Sequence, residues 1–222
     1  VTANSVSRDA VTANPGAGKV VLLDYGAGNL RSVAKAFEHE GADVVLTADP
    51  AVARAADRLV LPGQGHFGQC MTRLQETGLA DAVREHVAAG RPFIGICVGM
   101  QLLYDGSDEA PGVAGLGLLP GTVRRIPTDL PLPHVGWNAV EFKGRAEFDP
   151  VLAQVAGPEP RYFYHVHSYA VLEDDNDAVL GRCRYDASFA SIVGRDNVWG
   201  IQFHPEKSQE DGLRILGNFA RL

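Results

Sequence analysis

The sequence predicts an α/β fold: one three-layer domain with a mostly parallel central sheet flanked by helices, plus an antiparallel or mixed C-terminal portion. Three observations carry that expectation. Short branched apolar runs alternate with segments of helical periodicity through the first half, the signature of parallel strands joined by crossover helices. Beyond Gly106 the helical pattern gives way to closely spaced β-like runs and frequent Pro and Gly. At 222 residues the chain can bury one sizeable core, with no internal linker to divide it.

Residues 19–24 open the series as a buried strand ended by Tyr25-Gly26-Ala27-Gly28. Asn29 is placed to cap a helix whose Leu30, Val33, Ala34 and Phe37 share one face, and Gly41 ends it. Val44-Val45-Leu46 forms a second strand, and Asp49-Pro50 opens a short helix as cap and first-turn proline. Residues 58–61 form a third strand, expected to break at Pro62-Gly63. Helices follow at 67–76 and 79–89, then a strand around Pro92-Phe93-Ile94, and a helix through Met100–Tyr104. In the second half the β-like runs fall at 121–126, 138–142, 161–165, 169–172, 179–184, 189–193 and 198–203, before a closing helix over 212–222.

Composition excludes several classes. Lys and Arg number 20 against 27 Asp and Glu, and without a basic block or stripe a nucleic-acid partner is not expected. No apolar stretch is long enough to span a bilayer, so no membrane association is expected. The three cysteines, Cys70, Cys97 and Cys183, are odd in number and widely spaced, which fits free thiols in a reducing cytoplasm. The sequence lacks zinc-type ligand spacings, so no metal is expected. Residues 1–18 read as a flexible extension, small and polar, with VTAN at 1–4 and again at 11–14 and no signal-peptide pattern.

The most informative passage is Gly95-Ile96-Cys97-Val98-Gly99. A Gly-x-nucleophile-x-Gly turn between strand and helix lifts the reactive atom above the sheet, and the glycines allow close packing beneath it. The following helix start also favours thiolate. Taken alone, a buried structural cysteine would satisfy the same pattern. Near the C-terminus, His204-Pro205-Glu206 follows the last strand. If the segment is extended, residues i and i+2 project together, giving a base and the carboxylate that orients it. Cys97, His204 and Glu206 would then meet at the carboxyl rim of the sheet, where open α/β folds place their sites. Pro62-Gly63-Gln64-Gly65 ends a neighbouring strand; its backbone, with the Val98 N–H, can form an oxyanion hole, or be an ordinary turn.

These residues closely resemble the class I, or triad, glutamine amidotransferases, through Gly95-x-Cys97-x-Gly99-x-Gln101 and His204-x-Glu206. More narrowly, the chain resembles the glutaminase subunits of imidazole glycerol phosphate synthases. Segments 24–30, 62–67, 115–118, 134–138, 162–169 and 204–208 carry that likeness, in order, over residues 19–222. The resemblance implies a flavodoxin-like glutamine amidotransferase domain over 19–222. It implies glutamine as substrate, hydrolysed through a Cys97 thioester to glutamate and ammonia. The ammonia would pass to a (β/α)₈-barrel cyclase subunit, forming imidazole glycerol phosphate and an aminoimidazole carboxamide ribotide in histidine biosynthesis. By the same likeness Gly63, Gln64, Val98, Gln101, Ser168 and Tyr169 bind glutamine or its oxyanion. Asn29, Trp137, Tyr164 and Lys207 match the partner interface around the ammonia route. Bland roles remain open for these four: a cap, a core ring, a strand ring and a solvated charge. Gln64 departs from the apolar residue usual at its position.

Other features are given structural roles. Gly26-Ala27-Gly28 lacks the third glycine of a dinucleotide fingerprint, Arg31 standing there, so no cofactor is expected. His165 and His167 are spaced like metal ligands without further ligands nearby, and Cys70 and Cys183 sit in no elbow. Three rival readings are a cysteine α/β-hydrolase, a glutaminase serving another synthase such as pyridoxal phosphate synthase, and a regulatory subunit without turnover. The acid following the histidine by two disfavours the first, and the Gly-Trp-Asn and His-Ser-Tyr segments disfavour the second. The intact triad disfavours the third.

Overall fold

A computed structural model describes residues 18–172 and 177–222. The expected extension at 1–18 therefore lies, but for Gly18, outside the described residues. Six helices and twelve strands are described. The strands begin with β1 (Lys19–Leu23), β2 (Asp43–Thr47), β3 (Leu59–Gly63), β4 (Phe93–Cys97), β5 (Gly106–Ser107) and β6 (Thr122–Arg125). They continue with β7 (His134–Phe142), β8 (Arg161–His167), β9 (Tyr169–Val171), β10 (Val179–Tyr185), β11 (Ala187–Arg195) and β12 (Val198–Ile201). The helices are α1 (Leu30–His39), α2 (Pro50–Ala55), α3 (Phe67–Glu76), α4 (Leu79–Ala88), α5 (Val98–Gln101) and α6 (Gln209–Ala220).

Among the described residues a nine-stranded sheet runs β2-β1-β3-β4-β12-β11-β10-β7-β8. Its first five strands pair in parallel and the remaining pairings are antiparallel, as the change of texture after Gly106 implied. The chain steps one way from β1 to β2 and the other way from β2 to β3. Right-handed crossovers then put α1 and α2 on opposite faces. α6 joins α1, with the Phe37 and Phe219 rings 6.3 Å apart, and α4 packs on α2 and α3. A second, three-stranded sheet, β5-β6-β9, was not foreseen, because β5 is only two residues long.

Local rules held at some element ends. Asp49 Oδ1 accepts from the Ala51 N–H at 2.8 Å, and Gly41 leaves α1 at φ 87°. Asn29 occupies the N-cap position of α1 but makes no side-chain cap bond. The third strand does not break at Pro62 but continues through Gly63. Proline is tolerated because pairing with β1 ends at Val60, and the Pro62 carbonyl accepts instead from the Tyr25 hydroxyl at 2.8 Å. The helix expected over Met100–Tyr104 is the four-residue α5, which starts at Val98 directly after the cysteine.

Candidate active site

Cys97 ends β4, which is paired on one side with β3 and on the other with β12. Its backbone has φ 56° and ψ −114°, a conformation that costs a residue bearing a side chain. The flanking glycines make the turn feasible. A Cβ on Gly99 would collide with the Leu61 carbonyl oxygen, and one on Gly95 with the Gly99 carbonyl. Strand and helix thus touch backbone to backbone beneath the thiol, the sharp turn that the Gly-x-Cys-x-Gly spacing implied.

His204 follows β12, the strand next to β4 on the same rim. The strand stops at Ile201, and Pro205–Lys207 forms a 3₁₀ turn rather than continuing extended. His204 and Glu206 therefore meet through this turn, not through strand alternation. His204 Nδ1 lies 3.0 Å from Glu206 Oε1, and both side chains are buried. The other imidazole nitrogen is left for Cys97, which lines the same cavity. Burial by itself would lower the His204 pKa. Hydrogen bonds to Cys97 and Glu206, with their electrostatic attraction, outweigh it and raise the ring to about 9.

The backbone holding His204 is clamped from several sides. Its N–H donates to the Tyr164 carbonyl at 2.9 Å, and its carbonyl accepts from the Ser208 hydroxyl at 2.7 Å. Ser208 Oγ in turn accepts from the Tyr164 N–H at 3.0 Å. Phe203 stacks on Phe163 with centroids 4.1 Å apart, packing the approach to His204 against β8. The sequence marks no role for Ser208, since only the fold brings its two partners together.

Cys97 and His204 share a cavity of about 310 Å³, at the small end of the range for ligand pockets. Gln64, Val98, Gln101, Ser168, Tyr169 and Lys207 line it. Gly63 does not: it lies in β3 opposite Cys97, packed against Val98 and Gly99. Gln64 turns its carbonyl toward the Cys70 thiol, 3.6 Å away. A trans peptide points its two polar groups oppositely, so the Gly65 N–H faces away from α3. Gln101 Nε2 donates to the Tyr169 carbonyl at 2.9 Å and to Gln202 Oε1 at 3.1 Å, leaving its Oε1 as an acceptor.

Glu109 is a wall residue that the sequence did not reveal. Its Oε2 accepts from the Phe67 N–H at 2.7 Å, tethering a carboxylate between the start of α3 and the cavity. No motif marks it, because it stands alone in a loop that only the fold brings to the thiol. Cys70 and Cys183 are buried, and burial raises both thiols, Cys183 to about 12.

Trp137, Tyr164 and Lys207 converge on one face of β7 and β8. The Trp137 and Tyr164 rings meet edge to face at 6.2 Å, and Lys207 Nζ stands 5.8 Å from the Tyr164 centroid. Trp137 is nearly half exposed, and Val135 and Tyr162 add exposed apolar surface on the same strands. A shallow depression of about 750 Å³ beside them, lined by Trp137, Tyr162, Arg161 and Asp211, contains neither thiol nor imidazole. Asn29 directly precedes α1, a helix that contacts the 3₁₀ turn ending in Lys207. No described helix is long and apolar enough to cross a membrane.

Comparison with known proteins identifies the family. The family model of class-I glutamine amidotransferases matches residues 21–221. A protein of Methanothermobacter thermautotrophicus named imidazole glycerol phosphate synthase subunit HisH is 44% identical over 203 residues, 91% of this chain and 98% of that one. Its namesake in Thermus thermophilus is 48% identical over 199 residues, 89% of this chain and 94% of that one. Among solved structures, PurLQS from Thermotoga maritima aligns with a TM-score of 0.71 at 18% identity, covering 91% of this chain and 97% of the other, which speaks for the fold alone. The chain belongs to the class-I glutamine amidotransferases and, within them, to the family of HisH subunits of imidazole glycerol phosphate synthase.

Proposed function

We propose that this protein is the glutaminase subunit of an imidazole glycerol phosphate synthase, with Cys97, His204 and Glu206 as its catalytic triad. The observation that carries the reading is the meeting of Cys97 with a Glu206-paired His204 in one cavity. Glutamine enters with its side-chain amide toward Cys97. With the proton held on His204, whose pKa is raised to about 9, the Cys97 sulfur attacks the amide carbon. The resulting oxyanion is held by backbone N–H groups of Val98 and the Gln64-Gly65 segment. Collapse breaks the C–N bond, and His204 returns the proton to the departing nitrogen, releasing ammonia and leaving a γ-glutamyl thioester. His204 then draws a proton from water, which cleaves the thioester to glutamate and restores the thiol.

Gln101, Ser168 and Tyr169 hold the glutamine backbone groups, and Glu109 supplies a negative charge for the α-ammonium. The Trp137–Tyr164–Lys207 face is the docking surface for the (β/α)₈-barrel cyclase subunit, with Asn29 as a further contact, and ammonia leaves past Lys207. Support for this face is its exposed aromatic surface contiguous with the rim of the cavity. Three unpaired thiols fit a reducing cytoplasm.

Glutamate release, measured with and without the barrel subunit, tests the proposal. Glutamine turnover that rises when the barrel subunit is added is the expected result. Turnover of esters but not of glutamine, or stimulation only by a different synthase, would overturn it.

A further inference from the structure

Three buried histidines, His134, His165 and His167, are not used by the reaction, and His167 lines the cavity. His134 and His167 face each other across β7 and β8, with His134 Nδ1 3.4 Å from His167 Nε2. The outer end of this pair meets Asn138, whose Nδ2 is 3.3 Å from His134 Nε2. Its inner end meets the cavity wall, where His167 Nδ1 is 2.9 Å from the Tyr169 carbonyl. That same carbonyl anchors Gln101.

The direction of every bond in the series follows from its two ends. Asn138 Oδ1 accepts from the Ala139 N–H at 2.8 Å, and Nδ2 donates to the Arg184 carbonyl at 2.9 Å, so the amide cannot be reversed. Its second N–H must therefore donate to His134 Nε2. A carbonyl only accepts, so His167 Nδ1 carries the proton directed at Tyr169. Between these ends, a neutral His134 must hold its proton on Nδ1 and give it to the lone pair of His167 Nε2. Burial lowers the pKa of both rings, His167 to about 3, so both remain neutral at ordinary pH. Tyr185 stacks on His134 at 4.1 Å and Phe189 meets His167 edge-on at 4.9 Å, fixing the ring planes. His165 stands outside the series, bonded to the Phe163 carbonyl and to Ser191.

From this geometry we propose that Asn138, His134 and His167 are positioning residues, a one-directional hydrogen-bond relay that sets the Tyr169 carbonyl and Gln101 for glutamine binding. The inference rests on the glutaminase reading and deepens it. Because each neutral ring has one proton, the order is all or none. A group at position 138 that can only accept would turn His134 to its Nε2–H form. His167 would then have to donate toward His134, presenting a lone pair to the Tyr169 carbonyl and loosening the cradle.

Two measurements test the relay. In the assembled two-subunit enzyme, Asn138→Asp raises KM for glutamine about tenfold while kcat stays within about twofold, as expected for loss of one well-placed bond at the cradle. His165→Phe, equally buried but outside the series, leaves KM unchanged. An unaltered KM in Asn138→Asp, or a fall in kcat alone, overturns the proposal. Long-range ¹⁵N–¹H correlation of the wild-type imidazoles is the second readout and needs no variant to fold. His134 and His167 are both expected as Nδ1–H tautomers from pH 7 to 8; an Nε2–H form or an imidazolium at either overturns it. Wild-type enzyme releasing no glutamate would instead sink the glutaminase reading, while the imidazole spectrum would still decide the relay.

Discussion

His204 Nδ1 is hydrogen-bonded to Glu206 Oε1 at 3.0 Å, while the second oxygen of Glu206 is buried with no partner. The carboxylate is thus committed to one nitrogen, which leaves the opposite nitrogen for the thiol. The pairing also couples stability to pH. His204 is raised from 6.5 to about 9, so its contribution is complete below pH 6.5 and is lost as pH rises through 9. Thermal unfolding of the wild type between pH 6 and 9.5 should show this loss. His204→Asn should show a flatter profile over that window.

Cys97→Ala should abolish glutamine-dependent synthesis by the two-subunit enzyme and leave synthesis from added ammonium salt intact. The small side chain keeps the elbow filled, so assembly is preserved. Loss of both activities in a complex shown to be assembled would refute the proposed division of labour.

Gly99→Ala should be strongly destabilising, by about 2–4 kcal/mol, because the added methyl meets the Leu61 backbone rather than a mobile side chain. Denaturant unfolding would register it as a lower midpoint. A variant as stable as the parent would mean that β3 and α5 can separate more freely than their contact suggests.

Glu109→Gln separates charge from structure. The amide oxygen can still accept from the Phe67 N–H, so the melting temperature should barely move. Loss of the negative charge should raise KM for glutamine about tenfold, within the range for a hydrogen bond to a charged group. Unchanged KM would remove Glu109 from the binding site.

Much of the architecture was legible because it rests on local signals. Branched runs and 3.6-residue periodicity located β1 to β4 and α1 to α4 closely, and Cys97 stood out because two glycines frame it at a strand end. What escaped depends on the third dimension. Pro62 reads as a strand breaker, but a strand can keep a proline where its neighbour's pairing has already ended. Gly63 was expected on the cavity wall, yet strand pairing turns it into the packing beneath the elbow. Cys97, His204 and Glu206 stand out by their types and spacing, whereas the 3₁₀ turn joining His204 to Glu206 does not. A lone carboxylate such as Glu109 carries no periodicity or motif, so its role emerges only once the loop is folded over the thiol.

The left-handed backbone at Cys97 has an evolutionary corollary. Local conformational preference favours glycine there by about 1–3 kcal/mol, and that replacement would delete the sulfur proposed as nucleophile. Selection for heat resistance alone would therefore erode turnover at this position, and lineages that abandon the chemistry should be the first to relax it.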